Sequence, residues 1–170
     1  MIAGRTARVI ALDTDSSRTY PSLMLKETLT IDLVTTDLPG RSKNEVIHSL
    51  MDLVCKTGKV KDRELALKDV LEHEAGMSTG MENGIAIPHA KSDAVDELVA
   101  CVGITRRKID FENLDRKPSR IFIMTLSPRH GTGPHVQFLA EISRLLTDAK
   151  IRKSILKARN DQELLKILTS

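Results

Sequence analysis

Two apolar runs constrain this chain more than anything else in it. Residues 98–105 read Leu-Val-Ala-Cys-Val-Gly-Ile-Thr, and residues 121–126 read Ile-Phe-Ile-Met-Thr-Leu before Ser127-Pro128. The first reads as a strand covered on both faces and the second as the central strand. Their surroundings have helical period. Ser42-Lys43-Asn44-Glu45 forms a capping box, followed by Ile47, Leu50, Met51 and Val54, with Gly58 as a stop. Residues 62–74 predict a second helix with Leu67, Val70 and Leu71 on its apolar face. Pro134 suits a first helical position, before Val136, Leu139, Ile142, Leu145 and Leu146. Asp148 caps a short helix, and Asn160-Asp161-Gln162-Glu163 is another capping box before Leu164, Leu165, Ile167 and Leu168.

Weaker signals fill the gaps. Residues 30–35 loosely alternate and predict a first strand, and residues 85–87 a short buried one. The basic residues 106–108, then 109–114, suggest a short excursion or an edge hairpin. Residues 1–25 lack sustained period and read as a leader or linker, partly disordered; residues 26–170 read as one domain. Strands alternating with helices imply the α/β class.

Composition excludes several roles. Aromatic residues make up 2% of the chain, with no Trp, so a stacking platform for nucleic acid is not expected. The net charge of +3 comes from basic residues spread along the sequence, which argues against nucleic acid as a partner. Cys55 and Cys101 lie in apolar segments and read as free thiols in a reducing compartment. No apolar run approaches the ~20 residues of a membrane span. A cytoplasmic protein with no direct membrane insertion is the expectation.

The chemistry concentrates at Gly84-Ile85-Ala86-Ile87-Pro88-His89-Ala90-Lys91. Proline fixes its own φ and pushes Ile87 into an extended conformation, so a strand should end in a defined turn and present His89 on a rigid support. His135 follows after Thr132-Gly133-Pro134, near a helix start where free N–H groups favour an anion. Neutral imidazole attacks phosphorus well, and phosphoryl transfer needs chiefly in-line positioning and donors for the oxygens. His89 is the candidate nucleophile, His135 a neutral partner, and the amides of Ala90 and Lys91 candidate oxygen donors. His48 reads as structural or solvated, and His130 as solvated. A zinc site on His73, His89, His130 and His135 is the rival, but neither a His-x-x-x-His spacing nor a Cys pair supports it. No metal and no cofactor are expected, and neither a phosphate-binding Gly-x-x-x-x-Gly-Lys loop nor a Gly-x-Ser-x-Gly elbow occurs.

Ser78-Thr79-Gly80-Met81-Glu82-Asn83-Gly84-Ile85-Ala86-Ile87-Pro88-His89 closely resembles the active-site signature of enzyme IIA domains of the mannitol/fructose type. These domains belong to the phosphoenolpyruvate-dependent phosphotransferase system (PTS) and include the nitrogen-regulatory IIA proteins. Residues 134–146 resemble the family's second-histidine helix. The resemblance implies a mixed β-sheet flanked by helices, in a single domain. It implies that His89 is phosphorylated on Nε2 by the HPr phosphocarrier or a paralogue, with His135 helping to hold the phosphoryl group. Ser78, Thr79 and Ala90 are weaker phosphate-stabilising candidates. Transport members pass the phosphate to a IIB domain; regulatory members use it to select a protein partner, and that alternative stays open. One position departs from the pattern: His73 stands where the family usually carries an arginine, sixteen residues before the phosphorylated histidine. Histidine offers at most two donors and a titrating charge. Either His73 does this work in its charged form, or Arg106, Arg107 or Arg129 reaches in from another loop.

Overall fold

The computed structural model describes residues 23–131 and 133–170. Its centre is a mixed five-stranded sheet. The strands are β1 (Val34–Thr35), β2 (Ile85–Ala86), β3 (His89–Lys91), β4 (Val99–Ile109) and β5 (Ser119–Ser127). The order is β1-β4-β5-β2, with β3 also on β5. β4 and β5 are antiparallel; β1 runs parallel to β4, and β2 and β3 run parallel to β5. The two apolar runs therefore form the middle of the sheet.

Helices cover both faces, which is why those runs need no polar side. On one face, α2 (Lys43–Val54) and α3 (Arg63–Gly76) pack Val46, Ile47, Leu50, Ala66 and Val70 against Cys101, Phe122, Met124 and Leu126. On the other, α1 (Leu23–Thr28), α4 (Gly133–Thr147), α5 (Ala149–Lys157) and α6 (Asp161–Thr169) set Leu25, Phe138, Ile142, Ile155 and Leu164 against Ala100, Val102, Ile121 and Ile123. The predicted caps at Ser42, Asp148 and Asn160 form, and Asp62 adds a fourth. Ser42 accepts the Glu45 N–H at 3.2 Å, Asp62 that of Leu65 at 3.0 Å, Asp148 that of Lys150 at 2.7 Å and Asn160 that of Glu163 at 2.8 Å. In both capping boxes the glutamate reaches back to the residue before the cap, Arg41 at 2.8 Å and Arg159 at 3.1 Å. Gly58 takes φ +71° at the end of the turn that follows α2, as the stop signal required.

Several expectations need correction. Residues 31–33 form a 3-10 turn, closed by the Leu33 N–H to the Thr30 carbonyl at 3.0 Å, and only Val34 and Thr35 join the sheet. The ladder stops there because Asp161 on α6 takes both the N–H and the hydroxyl of Thr36, at 2.8 and 2.9 Å. The basic residues 106–108 make no excursion. They continue β4 beyond a register irregularity and face solvent, before Ile109 returns to the core opposite Ser119. Helix α4 starts one residue before Pro134. Of the expected leader, residues 1–22 lie outside the described residues, whereas Leu25 is fully buried in α1. Both thiols are free, and burial pushes that of Cys101 well up. Among the described residues, no helix is long and apolar enough to cross a membrane.

Candidate active site

Pro88 does not end the edge strand in a turn. The chain pauses over Ile87 and Pro88 and then rejoins β5 in parallel, with His89 opposite Thr125 and Lys91 opposite Ser127. The proline, which has no N–H, contributes its carbonyl to Thr125 at 3.2 Å. Ile87, freed from the ladder, donates its N–H to Thr79 at 3.1 Å. The parallel pattern continues with the Ser92 N–H on the Ser127 carbonyl at 2.9 Å, which turns the intervening Ala90 amide toward β5. Ala90 is also 4% exposed, so its amide serves the sheet and is no free oxygen donor.

His89 is thereby fixed at the start of β3, beside the carboxyl end of β5. His73 reaches it from the last turn of α3 on one face, and His135 from the first turn of α4 on the other. The His73 and His89 ring centroids are 4.6 Å apart, and those of His89 and His135 are 5.8 Å apart. The Nδ1 of His89 lies 2.7 Å from the Ile87 carbonyl oxygen. A carbonyl only accepts, so Nδ1 carries the proton, and in the neutral ring the free lone pair is on Nε2.

The three rings share an open cavity of about 430 Å³ with Asp69, Glu72, Ala90, Lys91 and Arg129. A larger cleft of about 640 Å³ adjoins it and shares His135, but His89 is not in its wall. Both flanking histidines are held below the usual histidine range. For His73 the cause is burial, then repulsion from His89; for His135 it is burial, then repulsion from His89 and Lys91. His73 is thus a neutral ring near pH 7 and not a standing cation in place of an arginine. The His135 Nδ1 is buried with no hydrogen-bond partner.

Ser78 and Thr79 do not line this cavity. Ser78 donates to the carbonyls of Phe111 at 2.9 Å and Glu112 at 3.1 Å. Thr79 gives its N–H and hydroxyl to the buried Glu74 at 2.8 and 2.6 Å, and Lys43 closes the clasp 2.8 Å from the same carboxylate. Their place is to brace the segment that leads into β2. Arg106 pairs with Asp37 at 2.8 Å and is no part of the cavity wall; neither is Arg107. Asp69, Glu72 and the Lys91 side chain escaped sequence reasoning. Of the three arginines that the sequence offered, Arg129 alone lines the cavity; it follows Ser127-Pro128, where the strand paired with His89 ends. Among the described residues no group of three or more His, Cys, Asp or Glu side chains is arranged to hold a metal ion.

This fold is that of IIA domains of the mannitol and nitrogen-regulatory kind. The crystal structure of nitrogen regulatory protein IIA-Ntr from Neisseria meningitidis superposes with a TM-score of 0.79 at 24% identity, over 86% of this chain and 99% of that one. The chain belongs to the family of phosphoenolpyruvate-dependent sugar phosphotransferase system EIIA 2 proteins, whose family model matches residues 27–170. It is 36% identical over 138 residues to the PTS system fructose-specific EIIA component of Haloferax volcanii, covering 81% of this chain and 90% of that protein. It is 27% identical over 146 residues to a nitrogen regulatory protein of Pseudomonas aeruginosa, covering 86% and 95%.

Proposed function

We propose that the protein is a phosphoryl carrier in which His89 Nε2 accepts the phosphoryl group of an HPr-type phosphohistidine and gives it up to a IIB-type acceptor. The observation that carries this is the Nδ1–H of His89 on the Ile87 carbonyl, which leaves a lone pair on Nε2. In the step, that lone pair forms a bond to phosphorus while the donor's P–N bond breaks. The donor ring departs with the bonding electrons and, protonated on its other nitrogen, leaves neutral. The His89 ring becomes cationic but keeps its Nδ1 proton on the carbonyl, which stabilises that charge. His135, at the start of α4, holds a phosphoryl oxygen together with the helix amides. The reading needs no metal or cofactor and carries a cytoplasmic location with it.

Incubation with phosphoenolpyruvate, enzyme I and a cognate HPr should add one acid-labile phosphate to wild type and none to His89→Ala. Equal labelling of the two, or labelling of neither, would falsify the relay. The similarity to a nitrogen regulatory protein favours a second reading, in which the phosphate on His89 selects a protein partner. The labelled and unlabelled proteins, used as bait, separate the two readings. A partner set that changes with the label supports a switch; identical sets leave the relay alone.

A further inference from the structure

A phosphoryl group on His89 brings two negative charges into a cavity that His73 and His135, both held below the usual histidine range, do little to neutralise. Two permanent cations line that cavity, Lys91 and Arg129. Lys91 is an exposed point charge, whereas a guanidinium offers a planar fork suited to two phosphoryl oxygens. Arg129 emerges from the end of β5 and is aimed by two carboxylates. Its Nη2 is 3.6 Å from Asp69, and its Nε is 3.3 Å from Asp93. Both are looser than the pairs at Arg63–Asp52 and Arg106–Asp37, which measure 2.7 and 2.8 Å. Asp69 is the unusual partner: its side chain is 10% exposed and its Oδ2 is buried with no hydrogen bond. Such an oxygen is costly unless a nearby cation compensates it. The arrangement therefore holds the fork over the cavity without saturating it.

We infer that Arg129 is the phosphate clamp of this site and that Asp69 is its positioning residue, orienting the guanidinium before transfer and releasing it to the phosphoryl oxygens afterwards. The inference rests on His89 being the acceptor. It also explains how the site works with histidine at position 73: the guanidinium comes from the β5–α4 connection instead of α3.

The test measures the rate of phosphoryl uptake from HPr and the lifetime of the phosphohistidine. Arg129→Ala should slow uptake about ten- to a hundred-fold, the scale of one or two charge-assisted hydrogen bonds, and should lower thermal stability because it leaves the Asp69 carboxylate without its cation. Arg129→Lys, which keeps the charge but not the fork, should recover only part. Because the His73 ring lies 4.6 Å from that of His89, His73→Arg added to Arg129→Ala should restore uptake. Asp69→Asn should slow the wild-type chain yet leave the rescued double variant unaffected, an asymmetry that a merely structural aspartate would not produce. Labelling of Arg129→Ala and Arg129→Lys at the wild-type rate overturns the clamp while leaving His89 as acceptor. Equal slowing by Asp69→Asn in both backgrounds overturns the positioning role. A wild-type protein that takes no label ends both readings at once.

Discussion

Burial sets the proton affinity of the two rings beside His89, and the sign of the shift fixes how stability responds to pH. His73 and His135 both lie below the ordinary histidine value of 6.5, desolvation first and repulsion from His89 second. Between that value and the lowered ones, the unfolded chain binds more protons than the folded one. The contribution of these rings is thus complete above about pH 6.5 and is lost as pH falls through it. Calorimetry from pH 7.5 to 5.5 should show a modest fall in Tm that a His73→Gln/His135→Gln variant flattens; an unflattened profile would assign the fall elsewhere. Asp115 and Glu163 also lie low, through backbone N–H donors from Lys117 and Arg159, but they lose their contribution only in the carboxylate range. A phosphate on His89 should reverse the histidine shifts. NMR titration should find both rings below 6.5 in the unmodified protein and higher in the phosphorylated one.

At the scale of elements, the site depends on an interrupted edge strand that has little ladder of its own. β2 and β3 contribute two and three residues, separated by Ile87 and Pro88. Residues 110–118 supply the missing support. Asn113 Nδ2 donates to the carbonyls of Met81 at 2.8 Å and Ile85 at 3.1 Å, and to the Ser119 hydroxyl at 2.6 Å. Gly80 lies where these segments cross. A Cβ there would meet the Phe111 carbonyl oxygen at 2.6 Å and the Asn113 Cα at 2.8 Å, both unyielding backbone. Gly80→Ala should cost about 1–3 kcal/mol in denaturant unfolding and also slow phosphoryl uptake, because the moved segment carries the Thr79 carbonyl that holds Ile87. Gly76→Ala, whose Cβ meets nothing within 4 Å, serves as the control and should be neutral or slightly stabilising. Equal effects of the two would remove the steric explanation.

Across the whole molecule, long-range polar ties join the outer helices to the sheet and to one another. Asp161 on α6 holds Thr36, 125 residues away, at the free end of β1, and Glu141 on α4 accepts the Leu25 N–H of α1 at 3.1 Å. Asp161→Ala removes two hydrogen bonds and should lower stability by about 1–2 kcal/mol, with phosphoryl uptake unchanged because none of its partners lines the cavity. Reduced uptake in a folded Asp161→Ala protein would mean that the far edge of the sheet acts on the site.

What the sequence determined by itself was local chemistry and period. The runs at 98–105 and 121–126 could only be buried strands; Ser42, Asp148 and Asn160 marked helix starts; Pro88-His89 and the histidine at 135 marked the site. Each of these signals lies within a few residues of the strand, helix start or candidate-site position it points to, so the chain carries them openly. Tertiary structure alone decided where the strand resumed after Pro88, which removed the Ala90 amide, and that Ser78 and Thr79 brace instead of bind. It alone brought Asp69, His73 and Arg129 together from α3 and the end of β5. Those choices depend on which sheet neighbour claims each N–H and on how burial shifts a ring's proton affinity, and both are set by residues distant in sequence.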